Sequence, residues 1–198
     1  MPIDPQAVRR TAFLATVLLA IFGLWPAPAA AESDEEEKSA WAALRAGAIV
    51  LLRHADAPGM GDPAGFMLGD CRTQRNLDAG GREQARRIGA RFRAQKVRPG
   101  KVLASQWCRT MDTAKAAFPG LVEPAPVFNS FFQDRAGAPE QTAMARALLL
   151  GWEGPSALVV VTHQVNITAL TGIFPASGEG VVLRRAGNEL RVVGRIRH

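Results

Sequence analysis

The sequence predicts an α/β protein, a three-layer α/β/α sandwich with a mostly parallel central sheet. Two observations predict it. Short, wholly apolar runs of strand length suit strands buried on both faces of a sheet, and amphipathic segments of helical period alternate with them. A third observation sets the scale: of the 198 residues 47% are apolar and 21% charged, with a mean hydropathy of zero. That is the balance of one ordinary globular domain, not of a disordered or repetitive chain.

Residues 1–31 read as an export signal. Arg9 and Arg10 precede an apolar run from Ala12 to Trp25, which at about fourteen residues falls short of the roughly 20 that a membrane-spanning helix needs. A small-x-small site at Ala29 and Ala31 places the mature N-terminus at Glu32. Phe13 and Leu14 sit one position too far along for a twin-arginine signal, so general secretion to a periplasmic or extracellular location is expected, with no stable membrane insertion after cleavage. Residues 32–46 form an acidic N-terminal segment whose run Glu32 to Lys38 reads as a solvated tail. The domain proper is expected over 47–198.

From Gly47 to Leu52 the run AIVLL predicts a fully buried strand that ends in Arg53-His54. The Gly-, Pro- and Asp-rich stretch from Ala55 to Asp70 is loop. Asp78 caps a helix over about 80–96, with Ala85, Ile88 and Phe92 on one face. A short strand from Lys101 to Ser105 runs straight into a helix from about Trp107 to Phe118. Pro119 to Gly137, with Phe128, Phe131 and Phe132, reads as an irregular connection or small lid. A helix over about 139–150 follows, then the apolar strand Ala157 to Val161, which ends in Thr162-His163. A short helix closes at Gly172, and Gly180 to Arg184 with Glu189 to Val193 flank a turn as a closing hairpin.

Ligands of such sheets gather beyond the carboxyl ends of the parallel strands. Each of the three central strands is followed there by residues that hold or attack anions: Arg53 and His54, then Arg109, then His163. Guanidinium forks match the oxygens of a phosphoryl group, and Arg109 and His163 lie at helix starts, where backbone N–H groups favour negative charge. Of Arg72, Arg75, Arg82 and Arg86, Arg75 is the one expected to extend this pocket. A histidine flanked by permanent positive charge stays neutral, and a neutral imidazole is a nucleophile. The implied chemistry is in-line attack on phosphorus, a phosphohistidine, then water. The residues alone leave open which histidine attacks. The formal charge of +6, about +5 without Asp4, Arg9 and Arg10, agrees with an anionic ligand, and export argues against nucleic acid as the partner.

Cys71 and Cys108 are the only cysteines. In an oxidising compartment they are expected to pair, for about 3.9 kcal/mol in the chain-entropy picture.

These motifs together resemble the histidine phosphatase superfamily, which includes the cofactor-dependent phosphoglycerate mutases. Leu-Leu-Arg53-His54-Ala resembles its R-H-G/A signature, and Asn76-Leu77-Asp78 through Gly81 to Gln84-Ala85 its helix start. Ser105 to Ala114, with Arg109 four residues after Ser105, is similar to its S-x-x-x-R-x-x-x-T-A segment, and Val159 to His163 to the strand bearing its second histidine. The resemblance spans residues 47–172. It implies a phosphoglycerate mutase-like fold, His54 as the phosphorylated nucleophile, Arg53, Arg109 and His163 as ligands of the phosphoryl group, a small phosphorylated substrate, and no required metal or organic cofactor. It also places the general acid near Asp134, with Glu123, Glu140 and Asp56 as rivals.

The sequence departs from the common family pattern at three points. Gln164 stands where many members have Gly, which puts a side chain beside the pocket. The loop after His54 lacks the Glu-Ser of mutases, which favours hydrolysis over mutase activity. The stretch from Phe118 to Pro139 is too short for a large helical cap. An exported phosphomonoesterase is the expectation. The alternative is a non-catalytic periplasmic binder that holds a phosphorylated sugar or envelope component in the same basic pocket.

Overall fold

The computed structural model describes residues 29–197. The export signal expected over residues 1–31 lies outside the described residues, apart from its last three.

A six-stranded sheet forms the middle layer. Its strands are β1 (Ile49–Arg53), β2 (Pro99–Ala104), β3 (Val122–Pro124), β4 (Ala157–Thr162), β5 (Gly180–Ala186) and β6 (Glu189–Ile196), in the spatial order β3-β2-β4-β1-β5-β6. The first four strands in that order run parallel; β5 pairs antiparallel with both β1 and β6. The wholly apolar sequence of β4 now has its reason: β4 lies between β2 and β1 and is buried along its whole length.

Side-chain alternation divides the core between the two faces of the sheet. Val50, Leu52, Val102, Val159 and Val161 point to one face, under α1 (Ala29–Arg45), α2 (Ala79–Ala94) and α3 (Cys108–Ala117). Ile49, Leu51, Leu103, Leu158 and Val160 point to the other, under α4 (Ala138–Leu150), α5 (Gln164–Thr171) and the buried ring of Phe128. Helices on both faces complete the three layers.

The start of α2 is fitted to the loop that follows β1. Asp78 caps the helix by accepting from the Gly81 N–H at 2.7 Å. Gly81 must be glycine because a Cβ there would collide with the Asp56 carbonyl. One turn on, Gln84 accepts from the Asp56 N–H at 2.8 Å and donates to the Ser177 carbonyl at 2.9 Å. The D-x-x-G-x-x-Q spacing is thus a brace between two loops at the same end of the sheet.

The N-terminal segment departs from expectation. Residues expected as a solvated acidic tail belong to α1, which lies along β6 with Ala40, Trp41, Ala43 and Leu44 buried in the core. Trp41 packs edge-on against Phe92 at 5.2 Å between centroids, and its indole N–H donates to Glu37 at 3.0 Å. Glu37 also accepts from Arg91 of α2 at 3.0 Å. The acidic residues are the outer face of a docked helix. The domain therefore includes residues before 47. Among the described residues, no helix is long and apolar enough to cross a membrane.

Because α1 is core, Trp41→Ala should lower the unfolding free energy by roughly 3–5 kcal/mol. A shifted denaturant midpoint at constant slope would show it; a solvated tail would give no shift.

Candidate active site

The carboxyl ends of β1, β2 and β4 open into a cavity of about 700 Å³. Arg53, His54, Arg75, Arg109, His163 and Gln164 all line it. The expected convergence of two histidines with arginines is therefore present: the His54 and His163 rings lie 5.5 Å apart, centroid to centroid.

His54 follows the last residue of β1 and is held by its own backbone, whose N–H donates to Thr162 at 2.9 Å. Its Nδ1 lies 2.7 Å from the Ala55 carbonyl oxygen. A carbonyl only accepts, so Nδ1 carries the proton and Nε2 keeps its lone pair. Burial first, and the charge of Arg109 second, push the pKa of this imidazole down to about 3. The nearby cations were expected to keep it neutral; desolvation does more.

His163 caps α5 and has the opposite tautomer. Its Nδ1 faces Arg109 Nη2 at 3.5 Å, and a guanidinium only donates. The proton is therefore on Nε2, which donates to Ser105 Oγ at 2.8 Å. Ser105 passes its own hydrogen to Asn129 Oδ1 at 3.3 Å. Burial, with the His54 ring and Arg109 after it, lowers the His163 pKa well below the ordinary value.

The arginines are fixed by the main chain. Arg53 donates from Nη1 to the Pro175 carbonyl at 2.9 Å. Arg75 donates from Nε to Gly61 at 2.9 Å and from Nη1 to the Ala57 carbonyl. Arg109 sits in the first turn of α3, where Gln74 accepts from the Cys108 N–H at 2.9 Å. The buried Nε groups of Arg53 and Arg109 have no hydrogen-bond partner among the described residues. A buried donor left unsatisfied is costly.

Cys71 and Cys108 are joined by a disulfide with Cα atoms 5.7 Å apart. It ties the loop after His54 to the residue before Arg109.

Asp134 is not in the cavity. Its neighbours Gln133 and Arg135 line the space, but the Asp134 side chain is exposed and accepts from the Ala136 N–H at 3.1 Å. In an irregular segment, spacing fixes the neighbourhood of a residue but not the direction of its side chain. The rivals are elsewhere too: Glu123 pairs with Lys101 at the sheet edge at 2.9 Å, and Asp56 and Glu140 line no part of the cavity.

The carboxylate that does reach the cavity is Asp62, which the sequence reading passed over as one more residue of a Gly/Pro/Asp-rich loop. It receives Arg109 Nη1 at 2.7 Å and Nη2 at 3.2 Å, Trp107 Nε1 at 3.0 Å and the Arg75 N–H at 3.1 Å. Burial works to raise its pKa, but the bonds from Arg109 and Trp107 prevail and hold it below the usual carboxylate range. Nothing in its local sequence sets Asp62 apart from a turn aspartate.

No family model and no curated protein sequence matches the chain. Solved structures do. The protein histidine phosphatase SixA, in complex with tungstate, is 17% identical with a TM-score of 0.54 over 75% of this chain and 96% of its own. A mycobacterial glucosyl-3-phosphoglycerate phosphatase with bound VO3 is 19% identical, with a TM-score of 0.54 over 74% and 97%. YhfR of Bacillus stearothermophilus is 14% identical, with a TM-score of 0.56 over 74% and 95%. The arrangement of helices and sheet in this chain is thus the phosphoglycerate mutase-like fold of the histidine phosphatases.

Proposed function

We propose that this protein is an exported phosphomonoesterase that hydrolyses a small phosphate ester through a phosphohistidine on His54. The observation that carries the reading is a buried imidazole whose Nδ1–H is fixed to a carbonyl, so that its unprotonated Nε2 shares a cavity with the guanidiniums of Arg53, Arg75 and Arg109. In the first step the Nε2 lone pair forms a bond to phosphorus as the ester P–O bond breaks, and the leaving oxygen departs with that electron pair. In the second, water oxygen attacks phosphorus, the P–N bond breaks and its electrons return to Nε2. Arg53 and Arg109 hold the three equatorial oxygens, with Nε of each as the free donor. His163 Nδ1 is the lone pair turned toward the arginines; a proton taken there makes it a further donor to the phosphoryl group.

Export rests on the signal-like residues 1–31 and agrees with the disulfide, which persists in oxidising compartments. SixA and the mycobacterial enzyme, phosphatases that bind tungstate and VO3, support the reaction class.

Incubation with p-nitrophenyl phosphate and acid-free quenching should trap base-stable, acid-labile phosphate on His54, and His54→Ala should lose turnover by at least a thousandfold. A protein that binds phosphate but never turns an ester over would be the non-catalytic binder. Asp134→Asn should leave turnover of both p-nitrophenyl and simple alkyl phosphates within about twofold, since its carboxylate faces solvent; a selective loss on alkyl esters would restore it as the proton donor. Dithiothreitol should lower activity at denaturant concentrations where the far-UV spectrum is still native, because the Cys71–Cys108 bond positions Arg109. Unchanged turnover after verified reduction would leave the bond a role in stability only.

A further inference from the structure

The basic floor accounts for the phosphate but not for the walls. Phe131, Phe132, Met60 and Phe174 line the same cavity, on segments far apart in sequence. Three of them are exposed: Met60 by 88%, Phe174 by 68% and Phe132 by 42%. Met67 and Leu68, also exposed, lie in the same loop as Met60. Large apolar side chains gathered in solvent at the rim of a cavity mark a surface that something covers.

Two amide donors and the carboxylate of the walls are committed to the protein. Gln164 donates to Thr168 Oγ1 at 2.7 Å, and Thr168 in turn donates to the Ile173 carbonyl at 2.8 Å. Gln133 donates to the Asp62 carbonyl at 3.3 Å, and the Asp62 carboxylate is taken by Arg109 and Trp107. A polyhydroxylated sugar needs free carboxylate or amide partners for its hydroxyls, since each one desolvated without a partner costs binding.

We infer that the substrate is a phosphomonoester whose phosphate is carried on an apolar chain or ring, and that Met60, Phe131, Phe132 and Phe174 enclose that apolar part. The inference rests on the proposed phosphatase reading for its chemistry, but not for binding. Phosphate goes to the arginines at the base of the cavity, and the apolar group extends outward past Phe131 to the rim. Such a ligand meets the cation-rich floor and the apolar rim at once; a sugar phosphate leaves Met60, Phe132 and Phe174 uncovered.

Non-hydrolysable alkylphosphonates separate the two questions, because binding can be read by calorimetry without turnover. From methyl- to hexylphosphonate the dissociation constant should fall about threefold per methylene, a little under the value for full burial of each CH₂. Glucose 6-phosphate and glycerol phosphate, measured on His54→Ala to prevent hydrolysis, should bind no tighter than methylphosphonate binds to the same variant. Phenylphosphonate compared with hexylphosphonate tells a ring from a chain; tighter binding of either than of methylphosphonate supports the inference. Phe174→Ser and Met60→Ser, both at exposed positions, should reduce the dependence on chain length by about half. Hexyl- and phenylphosphonate both binding no tighter than methylphosphonate, or a glucose 6-phosphate that binds more tightly than both on the same variant, would overturn the inference. Absence of turnover on every ester, with the chain-length dependence intact, would overturn the phosphatase reading and leave this one standing.

Discussion

Arg53, Arg75 and Arg109 each feel the repulsion of at least one other, and all three bear on His54. Such a cluster stands only if every guanidinium is anchored on its far side, because like charges brought together away from water repel strongly. Asp62 supplies the countercharge in direct contact, bidentate on the end of Arg109, with side chains only 4% and 5% exposed, and Asp56 adds a weaker attraction on Arg53 and Arg75. Carbonyls of Ala57, Gly61, Arg75 and Pro175 do the rest. What is left unpaired is Nε of Arg53 and Arg109. Arg109 is anchored through both terminal nitrogens, Arg53 through one, and Arg75 through Nε and Nη1.

Most of the surrounding structure maintains that anchoring. The loop that presents Pro175 to Arg53 is closed by Glu179, which accepts from the Ala176 N–H at 2.8 Å while Arg195 of β6 binds it at 2.7 Å through each of two nitrogens. Gln84 of α2 joins the same loop to the one after His54. Phe66 stacks on Trp107 at 5.0 Å, and Trp107 binds Asp62, so the loop that carries the countercharge is clamped to the start of α3. The disulfide fixes the same junction covalently. None of these residues need touch a substrate, yet each determines where an arginine stands.

The sheet was legible because β1 and β4 are apolar on both faces, and a strand with no polar side needs no context to be recognised. The site was legible for a related reason: Arg53, His54, Arg109 and His163 sit at or just beyond strand ends, so placing the strands placed them. The hidden parts depend on direction or on distant partners. In α1, Trp41 and Leu44 occupy a narrow stripe beneath the run Asp34 to Lys38, and the charges obscured the stripe. The three-residue β3 is too short for any period. Asp62 reads like any turn aspartate until Arg109, 47 residues on, is folded against it.

The placement of protons constrains the proposed chemistry further. The cavity holds two neutral imidazoles, four arginines and one carboxylate, kept ionised by its partners. It is therefore rich in lone pairs and positive charge but has no protonated carboxyl to offer a leaving oxygen. Fixed cations stabilise the negative charge that builds on the phosphoryl group, whereas charge on an alkoxide further out must be met by solvent at the open mouth. On the proposed reading this divides the two steps unequally. Attack by His54 depends on how well the leaving group bears its charge, while attack by water on the phosphohistidine has His163 Nδ1 nearby to take a proton. A group that leaves readily and is apolar enough to lie against Phe132 and Phe174 satisfies both the proton inventory of the floor and the surface of the walls.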